Sequence, residues 1–408
     1  MKRLNELKQP KNFDLKNLHM LQFLWGHLLI SNSDEWLCAP FNSARQQNQN
    51  VEGFAAIDAD LNANDSMERL PQVNETIAGK MTHVTYRLLS VIGDGGYGTV
   101  FEATDGVRKV AVKTEKFSRS MLHVEAHVLR IATRTRCNRI AELIDYGDVP
   151  NNFCFLVMPL LGKDLHYLRN EQRERRFSHP TSLRIGIMSL QAIQELHEKC
   201  GFLSRDIKSG NYAVGLAARE RDIFLIDFGL ARKYLDRNRN VMPSRGEVGW
   251  RGTTRYGSLN AHLKLDLGRK DDVESWFYMM VELTKGAVPW RQMTDRAQVH
   301  AAKLSARSSS RAQFLSECPV EYDVILTHID SLAFPDAPNY KMIISLLEEA
   351  MRNIRATWQQ QYDWEDVIPS STTSPSNERP AAQPNVAVNV VNGADPLVPE
   401  ALTPQRPL

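Results

Sequence analysis

A chain of 408 residues, 42% of them hydrophobic, is long enough for two packed lobes around a sizeable core. A net charge of only +2 argues against a dedicated nucleic-acid or membrane-surface protein. Five scattered cysteines (Cys38, Cys137, Cys154, Cys200, Cys318) form no C-x-x-C pair, so neither a disulfide framework nor a zinc site is expected, and a reducing cytoplasmic or nuclear setting fits.

Met20 to Ile30 is the only run resembling a targeting core. It is shorter than the ~20 apolar residues of a bilayer span, and Glu6 and Asp14 interrupt its basic flank. It reads as a short helix near 15–30 that docks on another surface. Residues 31–80 are rich in Asn, Gln, Asp and Ser and cannot offset their ordering entropy, so 1–83 is predicted to be a mostly disordered extension.

Organised sequence is expected from about Val84. Tyr86–Ile92 and Val100–Ala103 read as strands flanking a glycine cluster, Lys109–Thr114 as a third, Ser120–Ala132 as a helix and Phe153–Met158 as another strand. From Thr181 the pattern turns helical over Leu183–Cys200, Asp272–Lys285, Ala297–Arg307, Pro319–Phe334 and Tyr340–Ala356. This succession predicts an α+β fold of two lobes: a small strand-rich N-lobe to about 158, a hinge at 159–162 and a helical C-lobe over 163–368. Residues 369–408 hold eight prolines and no aromatic residue, so a disordered tail is expected there, with Ser374-Pro375 and Thr403-Pro404 as candidate modification sites.

Chemistry concentrates in an ordered set of motifs. In Gly93-Asp-Gly-Gly-Tyr-Gly98 the glycines let backbone N–H groups approach phosphate oxygens, and the β-branched Thr99-Val100 that follows makes a strand-turn-strand rather than the start of a helix. Lys113 ends the apolar run Val110-Ala111-Val112; a buried ammonium needs a partner, and Glu125 in the next predicted helix is the candidate. In Ser204-Arg-Asp-Ile-Lys-Ser-Gly-Asn211, Asp206 can orient a hydroxyl nucleophile, Lys208 can bridge a moving phosphoryl group, and Asn211 can hold a metal ion. Asp227-Phe-Gly229 follows a predicted strand and supplies a carboxylate for Mg²⁺ on the phosphates of ATP.

These motifs resemble those of the protein kinase superfamily from about Tyr86 to Ile368. Ser258-Leu-Asn260 stands where most kinases carry Ala-Pro-Glu, a replacement typical of the casein kinase 1 group. Trp250–His262, Asp271–Trp276, Pro289-Trp-Arg291 and Tyr362-Asp-Trp364 strengthen that likeness. Asn211–Gly215 and Trp276–Met280 look closest to its tau-tubulin kinase branch.

The resemblance implies an ATP- and Mg²⁺-dependent serine/threonine protein kinase, monomeric, acting on protein substrates without nucleic acid or membrane. Ile92, Gly93, Asp94, Gly95, Gly96, Tyr97, Gly98, Thr99, Val100 and Ala111 would line the nucleotide, with Met158 as gatekeeper and Pro159 and Leu161 as hinge contacts to adenine. Thr253 would bond the catalytic aspartate, and Asp272 would anchor the catalytic-loop backbone. Arg255, with Arg251 and the basic run around it, would favour acidic or phosphorylated substrate contexts. Ser204 replaces the histidine that in most kinases packs on the equivalent of Phe228, so a void beneath that ring is expected. That departure leaves room for a rival reading, a catalytically weak pseudokinase serving as a scaffold.

Overall fold

The computed structural model describes residues 68–95 and 98–365. Strands β1 (Thr76–Ala78), β2 (Thr85–Asp94), β3 (Gly98–Thr104), β4 (Lys109–Lys116), β5 (Asp145–Val149) and β6 (Phe153–Pro159) form one antiparallel sheet in the order β1-β2-β3-β4-β6-β5. Alternation sorts the faces. Val110 and Val112 of β4 join Phe101, Phe155 and Val157 on one side, whereas Ala111 joins Leu156 and Met158 in the main core. Helix α1 (Leu122–Arg134) buries Leu122, Ala126 and Leu129 in that core and packs on β6. Strands covered on both faces read as nearly continuous apolar runs, which is why β4 and β6 were recognisable.

The ordered N-lobe begins upstream of the predicted boundary at 84. Buried Asp145 accepts hydrogen bonds from the backbone N–H groups of Lys80 (3.1 Å), Met81 (2.9 Å) and Thr82 (3.1 Å), and from the Thr82 and Tyr86 hydroxyls. These bonds hold the β1–β2 turn on β5, while Ile77 buries its side chain. Further upstream, Glu68 accepts from both N and Oγ of Ser118. A polar stretch is ordered here because one distant carboxylate satisfies three consecutive backbone donors. The predicted helix near 15–30 and the tail over 369–408 lie outside the described residues.

The C-lobe runs through α2 (Leu165–Glu171), α3 (His179–Glu195), a π turn (Leu196–Cys200), β7 (Phe202–Leu203), β8 (Tyr212–Val214), β9 (Ile223–Leu225), β10 (Arg232–Lys233), α4 (Leu259–His262), α5 (Arg269–Lys285), α6 (Arg296–Ser305), α7 (Arg311–Phe314), α8 (Glu321–Asp330) and α9 (Tyr340–Asn353). Helix α3 starts earlier than its apolar periodicity because Ser178 caps it, accepting from Thr181 N, with Pro180 in the first turn. It packs between α5 and α9, and Gly201 at φ +74° ends the π turn. The Tyr362-Asp-Trp364 segment closes the lobe: Tyr362 stacks on Trp364, Arg184 lies 3.9 Å from the Tyr362 ring centre, and Asp363 caps α3 through Ser178. The α+β two-lobe expectation holds.

Candidate active site

Strands β2 and β3 turn at the glycines, where Gly95 and Gly98 exchange backbone hydrogen bonds at 3.0 and 3.3 Å. A Cβ on Gly98 would lie 1.8 Å from the Thr114 carbonyl oxygen, so only glycine lets β3 approach β4 there. Ile92, Gly93 and Asp94 precede the turn and Thr99 and Val100 follow it; the Thr99 hydroxyl donates to Asp94 (3.1 Å). Gly96 and Tyr97 lie outside the described residues. Across the sheet Ala111 pairs with Met158, both buried, and the chain leaves β6 at half-buried Pro159 and Leu161.

Lys113 projects from β4, its Nζ 2.7 Å from Glu125 of α1 and 3.3 Å from Asp227. Burial alone would lower the Lys113 pKa, but the carboxylates of Glu125 and Asp227 outweigh it and raise the value. Burial pushes Asp227 up and Lys113 pulls it down further, leaving it below the usual carboxylate range. Asp227 occupies the left-handed region at φ +63° although it is not glycine, a conformation sustained only where its surroundings demand it.

Asp206 is gripped from three sides. Lys208 Nζ donates to Oδ2 (2.6 Å), the Thr253 hydroxyl to Oδ1 (2.8 Å), and Asn211 Nδ2 to its carbonyl oxygen (2.9 Å). Behind the loop, Asp272 of α5 accepts from the N–H groups of Ser204 (2.7 Å) and Arg205 (2.8 Å) and lies 2.9 Å from His197 Nε2, while His197 Nδ1 lies 2.5 Å from the Tyr340 hydroxyl. Ser204 and Phe228 are both fully buried, and the Ser204 hydroxyl accepts from Asp206 N at 3.4 Å. A carboxylate aligned for a hydroxyl thus shares one region with an ammonium–carboxylate pair suited to polyphosphate.

The sequence profile of the protein kinase domain matches residues 86–364. The chain belongs to the protein kinase family. It is 33% identical over 293 residues to a Dictyostelium discoideum protein named as a probable serine/threonine-protein kinase, covering 71% of this chain and 58% of that one. It is also 33% identical over 306 residues to serine/threonine-protein kinase spe-6 of Caenorhabditis elegans, covering 73% of this chain and 80% of the relative. That kinship makes the enzyme a protein serine/threonine kinase, using ATP with a divalent metal.

In this kinase Arg255 also makes a structural contact. Arg255 Nη1 lies 3.3 Å from Glu282, a fully buried carboxylate that also meets buried Arg169 (3.1 Å) and the Tyr256 hydroxyl. Its guanidinium therefore ties the segment after Thr253 to α5. A second group of arginines, Arg205, Arg232, Arg245 and Arg251, lines a cavity of about 490 Å³ with Val248 and Gly249. Asp266 is the buried carboxylate beside it, pairing Arg232 (2.5 Å) and Arg245 (2.8 Å). Burial, then the charge of Arg232, lowers the Arg205 pKa to about 10.

Two further residues of the kinase escaped the sequence reading. Gly252, at φ +87°, brings the activation segment so close that a Cβ would sit 2.6 Å from the Arg205 carbonyl oxygen. Lys303 of α6 is fully buried, under the rings of Tyr278 and Trp290, and donates to the carbonyls of Gly257 and Thr254. The Arg-Gly-Thr spacing could have flagged the glycine. A lysine on an amphipathic helix carries no such signal.

Proposed function

We propose that this kinase transfers the γ-phosphate of ATP to serine and threonine hydroxyls that lie beside acidic or phosphorylated residues. The observation that carries the reading is the double grip on Asp206 by Lys208 and Thr253, which leaves the carboxylate poised to orient an incoming hydroxyl and accept its proton. Lys113, held by Glu125, is suited to the α- and β-phosphates. Lys208 is near enough to follow the phosphoryl group as charge develops on it.

Asn211 and Asp227 suit Mg²⁺. Asn211 spends its Nδ2 on the Asp206 backbone, so its amide oxygen is the atom left for a cation, and Asp227 stays ionised. When bound, the cation would neutralise phosphate charge. Ile92 to Val100, Ala111 and Met158 would enclose the nucleotide, with Pro159 and Leu161 meeting adenine through backbone carbonyl and N–H; the Leu161 N–H has no intramolecular acceptor among the described residues.

The four-arginine cavity supports the acidic or phospho-primed preference, with Arg251 the member least engaged by carboxylates. Ser258-Leu-Asn260 opens the short helix α4, Ser258 capping it and Glu274 accepting from Leu259 N (2.9 Å), an arrangement compatible with the casein kinase 1 group and its tau-tubulin kinase branch. We place the enzyme in the cytoplasm or nucleus as a monomer, without nucleic-acid or membrane partners.

Transfer of radiolabel from ATP to casein, with Asp206→Asn as control, tests the activity. Label on casein that disappears in the variant is expected; labelling that persists unchanged, or none at all from folded wild-type protein, rejects the reading. Peptide arrays test the preference: equal rates for acidic and basic contexts reject it.

A further inference from the structure

Cys137 follows α1 and Cys200 ends the π turn after α3, 63 positions apart, yet their sulfurs lie 3.8 Å from each other. Cys200 is buried and Cys137 half-exposed. We propose that these two thiols form a redox modification site, closing reversibly to a disulfide that staples the end of α1 to the segment entering the catalytic loop.

The backbone on both sides is already clamped. Glu195, the last residue of α3, accepts from the N–H groups of Asn138 (2.9 Å) and Arg139 (2.8 Å), directly after Cys137. Lys199, directly before Cys200, donates to Glu195 (2.7 Å) and to the Arg136 carbonyl (3.4 Å). The two cysteines are therefore held face to face by bonds independent of their sulfurs, so little chain entropy remains to be lost on linking them. A disulfide bond of about 2.05 Å needs the sulfurs to close by under 2 Å, within reach of side-chain rotation.

The chemistry separates their roles. The hydrogen bond from Cys200 lowers the Cys137 pKa, while that bond and burial raise the Cys200 pKa. With glutathione disulfide as oxidant, the Cys137 thiolate attacks one of its sulfurs and expels one glutathione thiolate, giving a mixed disulfide. Cys200 then loses its proton and attacks Cys137 Sγ, expelling the second glutathione. The protein thiols are oxidised by two electrons and the glutathione disulfide is reduced by the same two.

The consequence lies on both sides of the active site. Helix α1 carries Glu125, the partner of Lys113, and Cys200 is followed by β7 and the Ser204–Asp206 loop. The bond would fix one to the other.

The full chain, folded and equilibrated in glutathione buffers from reducing to oxidising poise, is trapped with an alkylating agent and digested without reduction. At the oxidising end we expect a linked peptide pair containing Cys137 and Cys200, reversed by dithiothreitol and absent from Cys137→Ser. Oxidation should raise the melting temperature of the wild type by several degrees and leave that of Cys137→Ser unchanged. Full alkylation of both thiols at the oxidising end, glutathione retained on Cys137 without a link, or linkage only in denaturant would each overturn the proposal. The readout is a mass, so failure here is distinguishable from failure of phosphotransfer.

Discussion

Lys303 Nζ lies 2.6 Å from the Gly257 carbonyl oxygen and 3.0 Å from that of Thr254, with His262 Nε2 at 3.1 Å. Two of these acceptors are the carbonyls of Thr254, which directly follows Thr253, and of Gly257, in the turn that closes the segment. One buried side chain on α6 connects helix packing to the position of the catalytic aspartate's threonine partner. Replacing Lys303 by Met orphans both carbonyls, at a cost of about 1–3 kcal/mol each. We expect a lower urea midpoint together with a fall in kcat. An unchanged kcat would separate Lys303 from the active site.

His262 gives the acid response a sign. Burial, then the charges of Lys303 and His300, lower its pKa to about 3, against an ordinary value of 6.5. The unfolded chain therefore takes up a proton below about 6.5 that the folded protein resists until about 3. The contribution is full above 6.5 and is lost as pH falls through that window. His262→Asn should flatten the stability curve between pH 6.5 and 3 in denaturant titrations.

Lys113→Met removes the ammonium while leaving β4 intact, and phosphotransfer should become undetectable with circular dichroism unchanged. Asp206→Asn should lower kcat by about 10²–10⁴ with little effect on nucleotide affinity, since the carboxylate acts on the acceptor. Loss of nucleotide binding in Asp206→Asn would contradict that division of labour.

Arg251 and Arg255 should part company under substitution. Arg251→Gln is expected to raise KM for acidic peptides several-fold with the melting temperature preserved, because its guanidinium faces the basic cavity. Arg255→Gln leaves buried Glu282 short of one cation and should lower the melting temperature. Thermal shift alongside peptide kinetics distinguishes them.

Gly252→Ala is the sharpest test of the activation-segment geometry. A methyl group there is opposed both by φ +87° and by the Arg205 carbonyl oxygen. Activity should fall by about tenfold or more with a smaller shift in global unfolding, since residues 243–251 on the N-terminal side of Gly252 are largely exposed and can relax. Wild-type rates would show that Thr253 reaches Asp206 without this close approach.

The elements and residues that were legible share a local signature. Strand β6 and the Val110–Val112 run of β4 are apolar on both faces, α3 and α9 are long and periodic, and the catalytic loop packs its chemistry into Asp206, Lys208 and Asn211 within six positions. Strand β1 and the ordering of 68–83 are not legible in the sequence because distant residues hold them, Asp145 at residues 80–82 and Ser118 at Glu68, and not their own composition. The ion pair that Arg255 makes is hidden in the sequence for a related reason. A loop arginine reads as solvated or anion-binding until its distant partner, Glu282, is seen.

Order and spacing along the chain alone determined the reaction class, because phosphate, metal and proton chemistry each demand a particular residue type, and these fall in short motifs. Folding alone decided which charges remain available. Glu282 captures Arg255, Asp266 shares Arg232 and Arg245, and Asp272 draws the loop backbone into place. Each pairing joins residues 21 to 68 positions apart, and electrostatic strength depends on separation in space and on burial, neither of which a linear sequence displays.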